Sequence, residues 1–172
     1  TSTITVNSDD CDEAAYDFDV TATATPAKAL HIGTGDNVHS PSFTAFGTQP
    51  ATIEFWTKNP DGFPIGFANH YLFLFSGGNF IIRRDFAGDY NTGATVDNTG
   101  NVWQHFALTY DGVSTFRAYK NGQPTPTPTF SGFSGPQVTG TLQIGEPKGG
   151  YPYTGAIDEV RMWNEQRTDA QI

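Results

Sequence analysis

The chain has 172 residues, a formal net charge of −9 and only 16% charged residues, a balance that excludes the positive footprint needed to hold nucleic acid or an anionic membrane surface. With 19 Gly, 11 Pro and 14% aromatics, the composition disfavours long helices and favours short strands divided by turns. The single Cys11 excludes an intramolecular disulfide, and no apolar run reaches membrane-spanning length.

Residues 3–20 alternate Thr, Val, Asp, Tyr and Phe around an acidic cluster of Asp9, Asp10, Asp12 and Glu13, and 16–20 is predicted as an edge strand with outward carboxylates. A Thr/Ala spacer follows at 21–26. Strands are then predicted at 29–32, 51–58, 71–75, 79–84, 92–97, 102–110, 115–120, 139–144 and 155–163. Turn signals divide them: GTGD at 33–36, NPDG at 59–62, GG at 77–78, DG at 111–112 and NG at 121–122. The TPTPTF run at 125–130 is expected as an extended loop over the surface. In the last strand, Ile157, Glu159, Arg161 and Trp163 alternate with Asp158, Val160 and Met162, the period-2 sign of a strand with two different faces. One domain of this length can enclose a sizeable core. The chain shows no signal peptide and begins mid-pattern at Thr1, so a module cut from a longer chain is expected.

Several segments occur in an order that resembles laminin-G-like domains of the concanavalin A-like lectin group. They are ALHIGTGDNV at 29–38, ATIEFWTK at 51–58, NVWQHFALTYDG at 101–112, YKNG at 119–122, GTLQIG at 140–145 and GAIDEVRMWN at 155–164. The likeness runs from about Ala29 to the C-terminus and leaves residues 1–26 outside it. The resemblance implies an all-β, two-sheet antiparallel jelly-roll sandwich, with a short helical turn over 167–172. It also implies that Asp36 in the first acidic loop, with Gly33, and Asp158 in the last strand come together around a structural calcium ion. Relatives that bridge ligand through calcium carry more acidic residues after the LQIG strand, where this chain has only Glu146. Trp56, Trp103 and Trp163 fall in segments where the family buries aromatics between its sheets.

Glucanases of related fold carry a Glu-x-Asp-x-x-Glu strand that sets an acid and a nucleophile on one face; this spacing is absent. Asp158 and Glu159 are adjacent and therefore expected on opposite faces. His31, His39, His70 and His105 lack metal-protease spacing, and His105 fits either a concave binding surface or an ordinary strand position. The chain is accordingly read as no enzyme. For ligand contact, the loops carry an unusual density of rings and guanidinium groups: His70, Tyr71, Arg83, Arg84, Tyr90, Tyr151 and Tyr153. Rings stack on the apolar faces of sugars, and guanidinium suits a carboxylate or sulfate. Pairing of one arginine with Asp85 or Asp89 is the competing assignment. The expected role is a non-catalytic carbohydrate-binding module of a secreted or cell-surface bacterial protein, tethered to other domains and holding an extended polysaccharide, anionic if Arg83 and Arg84 reach it. An adhesion domain for a protein partner is the alternative.

Overall fold

The computed structural model describes residues 5–7, 19–21, 29–33, 35–45, 47–67, 72–84, 88–131, 138–145 and 152–172. Sixteen strands occupy them: β1 Thr5–Asn7, β2 Asp19–Thr21, β3 Leu30–Ile32, β4 Val38–His39, β5 Phe43–Ala45, β6 Ala51–Asp61, β7 Ile65–Phe67, β8 Leu72–Ser76, β9 Asn79–Arg84, β10 Gly88–Thr95, β11 Trp103–Tyr110, β12 Phe116–Lys120, β13 Gln123–Phe130, β14 Val138–Gly140, β15 Leu142–Ile144 and β16 Thr154–Trp163. Every pairing between them is antiparallel. The expected all-β sandwich is what forms.

One layer is a six-stranded sheet in the order β13-β12-β11-β6-β16-β3. The three-stranded sheets β10-β9-β8 and β4-β15-β7 supply the opposite wall of the main apolar core, and Phe63 and Leu74, with Ile81, form a smaller cluster apart from it. Period-2 alternation fixes which side chains enter it. From β6 come Ile53 and Phe55, and from β11 Phe106 and Leu108; they meet Phe73, Phe75, Phe80 and Ile82 of the facing sheet. The rings interlock, edge-on in Phe55–Phe73 (centroids at 5.0 Å) and Phe80–Phe106 (4.9 Å) and tilted in Phe75–Phe106 (4.7 Å). A second column of stacked rings, Tyr110–Phe116–Phe130–Tyr90, closes the β13 end.

The turns follow the sequence signals where a two-residue hairpin is needed. Asn121 and Gly122 both take positive φ between β12 and β13, as that tight turn requires. Asp111 closes the β11–β12 loop by accepting from the backbone N–H groups of Val113, Ser114 and Thr115. Two expectations fail. The NPDG segment does not end β6, which runs on to Asp61, because its continued pairing with Thr154 of β16 outweighs the local turn preference. The TPTP run is no loop but most of β13, the outer strand of the large sheet. An edge strand needs N–H donors on only one side, so alternate prolines cost it little.

Candidate functional site

The core-facing alternation of β6 leaves Thr52, Glu54, Trp56 and Lys58 on the sheet's outer face. Register then lines up three strands across it. His105 of β11 and Asp158 of β16 flank Trp56, Ala107 and Arg161 flank Glu54, and Trp103 and Ala156 flank Lys58. Beyond β16 the segment 164–172 folds back over this face. Its Glu165 carbonyl accepts from Thr52 Oγ1 (2.7 Å), and its Arg167 N–H donates to the same oxygen (3.0 Å). Asp169 accepts from Arg117 Nη2 and from the Tyr119 hydroxyl, each at 2.7 Å. The segment thus becomes a wall, and its last residues turn on Thr168. The helical turn expected there is present only as this hydrogen-bonded turn.

Between that wall and Trp56 lies a cleft of about 360 Å³, lined chiefly by Glu54, Trp56, His105, Asn121, Arg161 and Arg167. Its floor is Glu54, only 4% exposed. An almost buried carboxylate needs partners, and Glu54 has them. Its Oε1 accepts from the Trp163 indole N–H (3.1 Å) and from Arg167 Nη1 (3.1 Å), with Arg161 Nη1 at 3.8 Å. Its Oε2 faces His105 Nε2 at 3.7 Å. Arg167 also lies over the Trp163 ring at 4.2 Å, which holds both side chains in place. His105 is fixed through its backbone, which donates to Asn121 Oδ1 and accepts from the Asn121 N–H. Burial pushes the His105 imidazole below its ordinary pKa of 6.5; the Glu54 carboxylate opposes this, and Arg161 and Arg167 reinforce it. A neutral imidazole offers one donor and one acceptor.

Trp56 stands at the cleft mouth, 39% exposed, with its ring 5.3 Å from that of His105. Trp103 lies diagonally across from it, 37% exposed, under the ammonium of Lys58 at 5.5 Å. These two rings are not between the sheets, and Trp163 too lies on the outer face. The reason is register: Ile53 and Phe55 claim the inner face of β6, so Trp56 must point out. The same alternation in the sequence, IxF against ExW, carried that signal.

The last strand departs from simple alternation. Asp158 pairs with Trp56, but the next outward pairing on β16 is Arg161 with Glu54, three residues on rather than two. This is a β-bulge, and its extra residue, Glu159, takes φ 52°, with its N–H held by Asp158 Oδ1 at 2.8 Å. The bulge puts Asp158 outward with Arg161 and Trp163, while Ile157, Val160 and Met162 join the core. Asp158 is therefore not the inward carboxylate that the resemblance implies. The β3–β16 pairing runs from Leu30–Ile157 to Ile32–Gly155, so the chain leaves β3 toward Asp36 at the end opposite Asp158. Asp36 Oδ2 instead accepts from the Gly33 N–H at 3.0 Å, and Asp36 N–H donates back to the Gly33 carbonyl. Its backbone packs on Gly145, where a Cβ would fall 2.2 Å from the Asp36 carbonyl oxygen. Among the described residues no three His, Cys, Asp or Glu side chains are grouped to hold a metal ion.

Of the loop residues, Arg83, Tyr90 and Tyr153 are described, and these three do not line the cleft. Tyr153, expected on a ligand rim, is fully buried; its hydroxyl bonds Thr57 Oγ1 and donates to the Ala156 carbonyl (3.2 Å), and burial raises its pKa to about 12. It is a core residue because the large sheet's inward Thr57 gives its hydroxyl a partner. Arg83 grips Asp89 with Nε and Nη2, both at 2.7 Å, and holds that carboxyl below its usual range. The pairing alternative therefore describes Arg83. Tyr90 is half-buried, its ring 4.9 Å from Phe130. His70, Tyr71 and Tyr151 lie outside the described residues, as does the side chain of Arg84.

A sequence model of the concanavalin A-like lectin/glucanases superfamily matches residues 32–172. No curated protein matches the chain. Among solved structures, domain 4 of AbnA, a GH43 extracellular arabinanase from Geobacillus stearothermophilus in complex with arabinotriose, is similar over 99% of this chain and 85% of that one, with 20% identity and a TM-score of 0.66. The native heptameric SAP-like pentraxin from Limulus polyphemus is similar over 83% of this chain and 77% of its own, with 18% identity and a TM-score of 0.61. The binding domain of botulinum neurotoxin DC in complex with SialylT is similar over 89% of this chain and 47% of its own, with 12% identity and a TM-score of 0.56. At these identities the likeness is one of fold.

Proposed function

The chain belongs to the concanavalin A-like lectin/glucanases superfamily, and from that premise we propose that it is a non-catalytic glycan-binding domain whose site is the outer-face cleft. The observation that carries this reading is two exposed tryptophans beside a polar cleft with a carboxylate floor. Aromatic faces meet the C–H faces of sugar rings, and a carboxylate with an adjacent imidazole meets their hydroxyls. Cross-strand neighbours are about 5 Å apart and diagonal ones about 7–8 Å, so Trp56 and Trp103 suit consecutive rings of one chain. The domain in complex with arabinotriose and the toxin domain in complex with SialylT have the same fold, which agrees with a sugar ligand.

Glu54 is held by Trp163 and Arg167 as a fixed acceptor, an arrangement suited to binding rather than to proton transfer. Contacts of this kind compete with water, so modest affinity is expected. Secretion or surface display, and attachment to other domains, belong to the same proposal.

Affinity electrophoresis through gels containing different polysaccharides tests it. Retardation by at least one glycan is expected, and Trp56→Ala should weaken it about tenfold or more, the loss of roughly one stacked ring. A parent protein that no glycan retards, or a Trp56→Ala protein retarded like the parent, would defeat the reading.

A further inference from the structure

We propose that the ligand of this cleft is a neutral saccharide and that the site rejects uronic acid and sulfated chains; this rests on the glycan-binding reading above. The inference comes from the charges around Trp56. Each guanidinium there already faces a carboxylate. Arg167 bonds Glu54, while Arg161 bonds Glu159 and has Glu54 at 3.8 Å. Asp158 sits directly across the strand from Trp56 on the side away from His105. Three carboxylates therefore stand against two guanidinium groups around one ring, and Lys58 is drawn to Trp103.

A ligand carboxylate stacked on Trp56 would come within a strand spacing, about 5 Å, of Asp158 on β16, and within two residues' rise along β6, about 7 Å, of Glu54. Glu54 is nearly buried, so solvent and salt would screen that repulsion poorly. A sugar hydroxyl meets the opposite situation. Glu54 Oε2 lies 3.7 Å from His105 Nε2, beyond hydrogen-bond length, so it retains acceptor capacity. The neutral imidazole can complement it as donor or acceptor. Arg83, outside the cleft, is clamped by Asp89. The net charge of −9 adds a long-range term of the same sign.

Matched polymers test this without confusing the two readings. A glucan, a galactan and a galactomannan would be compared with the same three chains oxidised at C6 to uronates, and with a sulfated galactan, at low and high salt. The expected result is binding to at least one neutral chain that salt leaves unchanged. Oxidation of that chain should weaken binding at least about tenfold, equivalent to ~1.4 kcal/mol. Equal or tighter binding to the uronate or sulfated chain, weakened by salt, would overturn neutrality and leave the glycan reading standing. Absence of binding to every polymer would overturn both.

Discussion

The two faces of the six-stranded sheet are built from the same strands and obey opposite logics. Inward, β6 and β11 present Ile53, Phe55, Phe106 and Leu108, all at most 1% exposed, with the two phenylalanines packed against the rings of the facing sheet. Outward, one residue along, they present Glu54, Trp56 and His105 around a cleft, with Trp103 beside it, and Glu54 is tied to the C-terminal segment by charge and a hydrogen bond. The inner face holds the fold by excluded water, which asks only for size and shape. The outer face holds its side chains by directed contacts, which ask for particular atoms. Substitutions should therefore separate the faces cleanly.

The largest effect is expected inside. Phe106 touches Phe55, Phe75 and Phe80, and Phe106→Ala should cost about 3–5 kcal/mol, read from denaturant midpoints. A loss under 1 kcal/mol would mean the two sheets do not pack as described. Next is the outer-face exception, Glu54→Ala, which strands Arg167 and the Trp163 indole. Breaking a nearly buried ion pair by removing one partner costs about 3 kcal/mol, and glycan retardation should vanish with it. An unchanged melting curve would reduce the cleft floor to an ordinary surface.

Tyr153→Phe sharpens the comparison from the other side. It removes one buried hydroxyl and its bonds to Thr57 and Ala156, so it should cost about 1 kcal/mol with glycan binding intact. Weakened binding at unchanged stability would return Tyr153 to the ligand surface.

The smallest effect is a pH dependence. The fold keeps His105 neutral below its ordinary pKa of 6.5, so the unfolded chain binds the proton first as pH falls. Stability is full above about pH 6.5 and declines below it, toward the lowered folded pKa. His105→Asn should flatten the stability profile in that window. The lowered carboxyl groups of Asp89, Asp97 and Asp111 act separately, as pH falls below their ordinary 3.8. An identical slope between pH 6.5 and 5 in parent and variant would remove His105 as its source.

Much of this was legible without coordinates. The alternations of 51–58 and 102–110 and the NG and DG turns are local rules, set by strand pleat and by positive φ, so the strands and hairpins followed from them. The order of short motifs from Ala29 onward supplied the fold. What the sequence left dark was the outer face as a site. The family resemblance implies a core place for Trp56 and Trp103, whereas Ile53 and Phe55 fill the inner positions of β6. Arg83, Tyr90 and Tyr153 stood out as loop residues, yet their partners, Asp89, Phe130 and Thr57, are chosen by packing rather than by neighbourhood in the chain.

The sequence by itself determined an acidic, all-β, single-cysteine chain with the two-faced strands of its superfamily, because those properties depend on composition and on contacts between near neighbours. Only the tertiary structure decided that Asp158 and Arg161 share a face, since a one-residue bulge at Glu159 reverses every side chain beyond it. It alone also decided that residues 164–172 wall a cleft over Glu54. That contact joins positions more than a hundred residues apart, and no local pattern encodes it.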